Sequence, residues 1–144
     1  MAIEMNPLSD VIVRPPQRYD ALWIDQAHRY AAESKDRSTQ VGCVIVNQQN
    51  ILVSSGWNGF PRKVDDTIDA RHERPAKYDW VVHAEMNALY NVARTGGPGL
   101  MGSTLYMNWA PFPCSRCLGG LIQAGITTIV GPDRQFTGVG VGTH

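Results

Sequence analysis

No apolar run in this 144-residue chain is long enough to cross a bilayer. The N-terminus has no basic segment leading into an apolar stretch, so no secretory signal is expected. Neither charge sign is in excess: 13 Lys and Arg balance 13 Asp and Glu. A protein that grips a polynucleotide typically shows a basic stripe and neutralises several phosphates. The expected partner is therefore a small molecule, neither polynucleotide nor membrane. Cysteine is scarce, with three residues, and two of them form C-x-x-C. An odd, low count argues against a disulfide scaffold and for metal binding in a reducing compartment, hence the cytoplasm. Internal repeats and low-complexity tracts are missing too. What remains is an ordinary globular composition, 43% hydrophobic and 18% charged, with length for one domain and one core.

Residues 1–18 are expected to form an extended N-terminal segment, because Pro15-Pro16 blocks helix; the domain is placed at 19–144. From Asp20 to Lys35, Trp23, Ala27, Tyr30 and Ala31 recur at helical spacing. Val41 to Val46 is apolar and β-branched, and Ile51 to Trp57 reads as its hairpin partner across Asn47-Gln48-Gln49-Asn50. Asn58 to Trp80 is a long polar connection, of the kind that is usually functional. His83 to Arg94 predicts a helix stopped by Gly96-Gly97-Pro98, and Ser103 to Asn108 a strand. Cys114 to Ala124 predicts a second helix, capped by Gly125 and followed by a strand over Ile126 to Val130. This alternation predicts an α/β fold, a sandwich in which helices flank a central mixed sheet. The tail 138–144 matches no packed element, and the chain is expected to stop where a longer protein continues.

The chemistry is concentrated in His83-Ala84-Glu85 and Pro113-Cys114-Ser115-Arg116-Cys117. Residues three apart on a helix share a face, so Cys114 and Cys117 can bind one ion. His83 and Glu85 are two apart, a poor geometry for two ligands of one metal. That spacing suits one ligand, His83, and one residue working beside the metal, Glu85. Three protein ligands leave the fourth tetrahedral position of a zinc ion open, as catalytic sites require, whereas a structural site wants four. The ligands also fall at predicted helix starts, whose partial positive charge favours thiolates. Two thiolates cancel most of the ion's charge, so a base is needed beside its water, and Glu85 is placed to be that base. Outside such a motif a Glu in a first helical turn merely complements the helix dipole. Cys43 reads as a buried strand residue.

The H-x-E…P-C-x-x-C order is the signature of zinc nucleobase deaminases. Beyond it, the chain resembles the deoxycytidylate (dCMP) deaminases of the zinc cytidine-deaminase superfamily. The resemblance rests on residues 34–47 as lead-in and first strand, and on Gly56-Trp57-Asn58-Gly59-Phe60-Pro61-Arg62 as a G-x-N-G-x-P loop. It also rests on Val82 to Ala88 and on Leu121 to Ile126, and it runs from about Asp20 to Val130.

The resemblance implies a five-stranded sheet flanked by helices and one catalytic Zn²⁺. It implies that cytosine stacks over the metal, with Asn58 near the sugar hydroxyl, the Ala84 backbone at the base carbonyl and Phe112 as an apolar wall. The phosphate needs cationic or amide donors, for which Lys35, Arg37 and Ser38 are candidates. It further implies a homo-oligomer, a hexamer, whose activity dCTP raises and dTTP lowers. The effector pocket is expected at Gly56, Trp57, Asn58, Gly59, Phe60, Pro61 and Arg62, with Mg²⁺ on the triphosphate.

Three departures stand out. The turn Asn108-Trp109-Ala110-Pro111-Phe112-Pro113-Cys114 is slightly longer than the family's and adds an indole. The 58–80 connection lacks the cysteine-rich insertion that holds a second zinc in some relatives. The family's last helix and strand are expected to be truncated.

The expected reaction is hydrolysis of dCMP to dUMP and ammonia. A metal so held polarises water, and Glu85 takes the water proton to ring N3 and a second to the leaving amine. Alternatives are another cytosine nucleotide, a nucleobase or a tRNA adenosine on the same zinc chemistry. A non-enzymatic zinc-stabilised binding module, which would need a closed site, is a further one.

Overall fold

A computed structural model describes residues 17–108 and 115–132. Its elements are α1 (Asp20–Ala31), β1 (Gly42–Val46), β2 (Leu52–Trp57), a 3-10 turn (Asp69–His72), α2 (Lys77–Trp80), α3 (Ala84–Thr95), β3 (Thr104–Met107), α4 (Ser115–Ala124) and β4 (Thr128–Val130). The segment 1–18 expected to be extended lies almost wholly outside the described residues.

The four strands form one sheet in the order β2-β1-β3-β4. β1 is antiparallel to both neighbours, and β3 is parallel to β4. A parallel pair needs a crossover, which α4 supplies. The sheet is therefore mixed and flanked by helices, as the alternation predicts. It has one strand fewer among the described residues than the resemblance implies.

The hairpin forms where the β-branched runs predict it. Asn47 Oδ1 accepts the N–H groups of Gln49 and Ile51, 2.9 and 3.0 Å away, and Asn50 takes the left-handed φ of 63°. Asparagine tolerates that conformation because its short polar side chain can bond locally.

All five residues of β1 are buried. Such a strand needs cover on both faces, and the period-two alternation assigns it. On one face Gly42 meets α1 so closely that an added Cβ would collide with Ala27 O and Ala31 N. Cys43, next along, faces the opposite way and reaches Ala84 O in α3, 3.3 Å away. Val44, Ile45, Leu105, Leu121 and Ile129 complete the core.

α1 stops at Ala31 and not at Lys35, because the following N–H groups turn back to Tyr30 O and Ala31 O. The Ser34 hydroxyl accepts the Asp36 N–H at 3.1 Å, a local bond that competes with helix continuation, and donates across the fold to Asn58 O at 2.7 Å. α3 ends as predicted, with Gly96 at φ 66° in the left-handed cap.

The 58–80 connection is more ordered than its polar sequence suggests. Gly59 and Val82 exchange backbone hydrogen bonds at 3.1 and 2.7 Å, closing the segment on itself. Inside it Phe60 stacks on His72 at 4.7 Å between centroids, and the Arg71 guanidinium sits 4.2 Å over the Trp80 ring. The Arg74–Pro75 peptide is cis.

Candidate active site

The site is built where the start of α3 meets α4. His83 is the residue before α3, in extended backbone at φ −71° and ψ 154°, so its imidazole leaves the helix and reaches outward. Its Nδ1 lies 3.2 Å from Cys117 Sγ on α4. Two zinc ligands at ordinary bond lengths and a tetrahedral angle stand roughly 3.5 Å apart. The nitrogen and sulfur are close to that spacing, so both could donate to one ion. Cys114, the third expected ligand, and Phe112 lie outside the described residues, as does most of the lengthened turn before them.

Glu85 stands in the first turn of α3 and is 4% exposed. Burial pushes its carboxyl above the usual range, partly offset by a backbone N–H bond and by His83. A carboxyl raised by burial holds its proton more readily than an exposed one. Ala84, between the two, is 1% exposed. Below them lies Cys43, fully buried; burial, then the charges of Glu85 and Cys117, push its thiol well up. It is a strand residue, as predicted.

Asn58 is carried to the site by the Gly59–Val82 bridge, which puts the end of β2 beside the residue preceding His83. Its Oδ1 accepts from Val41 N at 2.9 Å and its Nδ2 donates to Thr39 O at 2.8 Å. An amide can make about four bonds, so capacity for a ligand remains. Asn108 plays the matching part from β3, accepting from Gly42 N at 2.8 Å. The two asparagines clamp residues 39–42. Sequence reasoning missed Asn108; a lone Asn at a strand end carries no signal of it.

Lys35, Asp36, Asn58, Phe60, Asp66 and His72 are among the residues lining a cleft of about 330 Å³. Of the three expected phosphate donors only Lys35 lines it, and Lys35 Nζ lies 3.3 Å from Asp66. Arg37 is paired with Asp69 at 3.0 Å, and the Ser38 N–H donates to Asp36 Oδ1 at 2.9 Å.

Of the expected effector residues, Gly56, Trp57, Gly59, Phe60, Pro61 and Arg62 line a second cavity of about 470 Å³, with Tyr90 and Arg94. Asn58 faces the first cleft and not this one. The Arg62 guanidinium donates to Asn91 Oδ1 at 2.8 Å.

Over residues 17–131 the chain matches the family described as the cytidine and deoxycytidylate deaminase zinc-binding region. It is 44% identical over 99 residues to a protein of Caenorhabditis elegans named "Probable deoxycytidylate deaminase", covering 67% of this chain and 48% of that one. It is 38% identical over 105 residues to the deoxycytidylate deaminase of Homo sapiens, covering 69% and 56%. The chain therefore spans about half the length of these relatives. Among solved structures, the dCMP deaminase of cyanophage S-TIM5 in complex with dCMP and dUMP superposes with a TM-score of 0.67 at 23% identity. That match covers 89% of this chain and 92% of the phage chain, and shows a shared fold.

Proposed function

Since the chain belongs to the cytidine and deoxycytidylate deaminase family, we propose that it hydrolyses dCMP to dUMP and ammonia. The observation that carries the reading is the buried Glu85 two residues from His83, whose Nδ1 stands 3.2 Å from Cys117 Sγ. The relatives' names supply the substrate class.

His83, Cys117 and Cys114 would hold the zinc, which when bound acts as a Lewis acid and makes water acidic enough to attack. Glu85 accepts the proton that the water loses. Its raised carboxyl then delivers that proton to ring N3, which leaves C4 electron-poor. The water oxygen adds at C4; Glu85, again a carboxylate, takes the remaining proton from the new C4 hydroxyl and passes it to the exocyclic nitrogen, which departs as ammonia as the C4–N bond breaks and the C4 carbonyl forms. Burial keeps bulk water from short-circuiting these transfers. The Ala84 backbone and Asn58 are assigned to the base and sugar, Phe112 to an apolar wall for the base, and Lys35, which lines the cleft, to the phosphate.

The second cavity is assigned to a triphosphate effector with Mg²⁺, dCTP raising activity and dTTP lowering it. Two guanidinium groups, Arg62 and Arg94, beside Trp57 and Tyr90 support that assignment. A homohexamer is the proposed assembly, and the cytoplasm the proposed location, since thiolate ligands need a reducing compartment.

An ammonia-release screen over dCMP, dCTP, deoxycytidine, guanine and tRNA tests the substrate. Turnover highest on dCMP is expected; turnover confined to another substrate would move the chain within the family. Equal rates with and without each triphosphate would remove the effector assignment.

A further inference from the structure

Cys43 and Gly56 are opposite one another in the β1–β2 register. Both meet the same atom. Cys43 Sγ is 3.3 Å from Ala84 O, and a Cβ added to Gly56 would stand 2.5 Å from that oxygen and 2.6 Å from Ala88 N. The Gly56 backbone therefore touches the first turn of α3 with no side chain between, while the thiol beside it supplies a donor. Ala84 is the residue between His83 and Glu85. Its carbonyl is thus the point at which the sheet grips the helix turn that carries both functional groups.

One turn further along α3 the contact has a plainer form. Ser54, two residues back from Gly56 on the same face of β2, donates to Ala88 O at 2.8 Å. That bond ties down the helix body, one turn beyond His83 and Glu85. The difference between the two contacts is their distance from the chemistry.

We propose that the Cys43–Gly56 pair is a positioning seat for the Ala84 carbonyl, fixing the height and rotation of the first turn of α3 and hence the stance of Glu85 relative to the His83 imidazole. Neither residue touches substrate or metal; both act through the backbone. The proposal rests on the deaminase reading for its kinetic readout, and on metal binding by His83 for its spectroscopic one. Groups that orient metal ligands from behind typically cost about 10–100-fold in metal affinity or activity when lost. A displaced Glu85 impairs proton transfer and not ground-state binding, so the loss falls on kcat and not on KM.

The test compares Cys43→Ala, Cys43→Ser, Gly56→Ala and Ser54→Ala, loaded with Zn²⁺ for kinetics on dCMP and with Co²⁺ for visible absorption. Melting temperature is followed throughout. Cys43→Ala and Gly56→Ala are expected to lose about 10–100-fold in kcat with KM little changed, and to shift the Co²⁺ bands. Cys43→Ser restores a donor and is expected to recover most of the loss. Ser54→Ala is expected to lower the melting temperature with wild-type kcat and bands. If Gly56→Ala fails to fold, the two Cys43 variants decide the matter. Wild-type kcat in Cys43→Ala, or a kcat loss in Ser54→Ala equal to that of Cys43→Ala, would overturn the seat. Should the wild-type protein not turn over dCMP, the substrate reading fails separately; bands unshifted in both Cys43→Ala and Gly56→Ala would then sink the proposal, and shifted bands would uphold it.

Discussion

Lys77 Nζ lies 3.0 Å from Asp36 Oδ1, in a pair whose side chains are 10% and 4% exposed. The ion pair joins the 34–40 turn to α2 across the rim of the cleft that Lys35 and Asn58 line. Asp36 Oδ1 also accepts the N–H groups of Ser38 and Thr39. One carboxylate thus organises the turn that carries the expected phosphate donors.

Removing only the lysine would strand that carboxylate. Lys77→Met is expected to destabilise the fold by about 3 kcal/mol, because an unpaired buried charge costs more than the pair contributes. The double variant Lys77→Met/Asp36→Asn is expected to recover part of the loss. Urea denaturation of the wild type, of Lys77→Met and Asp36→Asn singly and of the double variant checks this; additive losses would show that the pair is not coupled.

The same carboxylate sets an acid limit. Burial pushes the Asp36 carboxyl up, but the Thr39 and Ser38 N–H groups and Lys77 outweigh it and hold it below the usual value of 3.8. A group depressed in the folded state contributes stability above its unfolded pKa and loses it as pH falls through the folded one. Its stabilisation is therefore expected to be intact at neutral pH and to fade below about pH 4. Asp36→Asn should flatten that limb of a stability–pH curve; an unchanged limb would assign it to other carboxylates.

Asn87 and Asn91 face the open edge of β2. Their side-chain amides donate to Trp57 O and Ser55 O, each at 2.8 Å. β2 is the first strand in the order, and an unprotected edge invites pairing with another chain. Asn91→Ala is expected to cost about 1–2 kcal/mol and to raise light scattering on heating. Unaltered stability and scattering would show that water replaces the amide at no cost.

Legibility in the sequence followed the range of the signal. Periodicity located α1, β1, β2, α3 and β3 to within a few residues, since each reports only its own neighbours. The metal motif was legible because ligand type and spacing act over three or four positions. Contacts made across the fold left no local trace. Asp36 and Lys77 are 41 residues apart, and nothing near either marks the other. Gly56 reads as part of a binding loop, but its close approach to Ala84 also gives it a packing role that only the folded chain shows. The 58–80 segment looked like open loop because the Gly59–Val82 bridge and the Phe60–His72 stack join residues of no shared pattern.

The proton-carrying role of Glu85 is tested most directly by zinc stoichiometry and ammonia release from dCMP, measured together on the wild-type chain and on Glu85→Gln. One zinc per chain is expected in both, with turnover in the variant lower by at least about 10²–10⁴-fold and thermal stability not reduced, since burying the neutral amide is less costly than burying the carboxylate. Wild-type turnover in fully zinc-loaded Glu85→Gln would contradict the assigned chemistry.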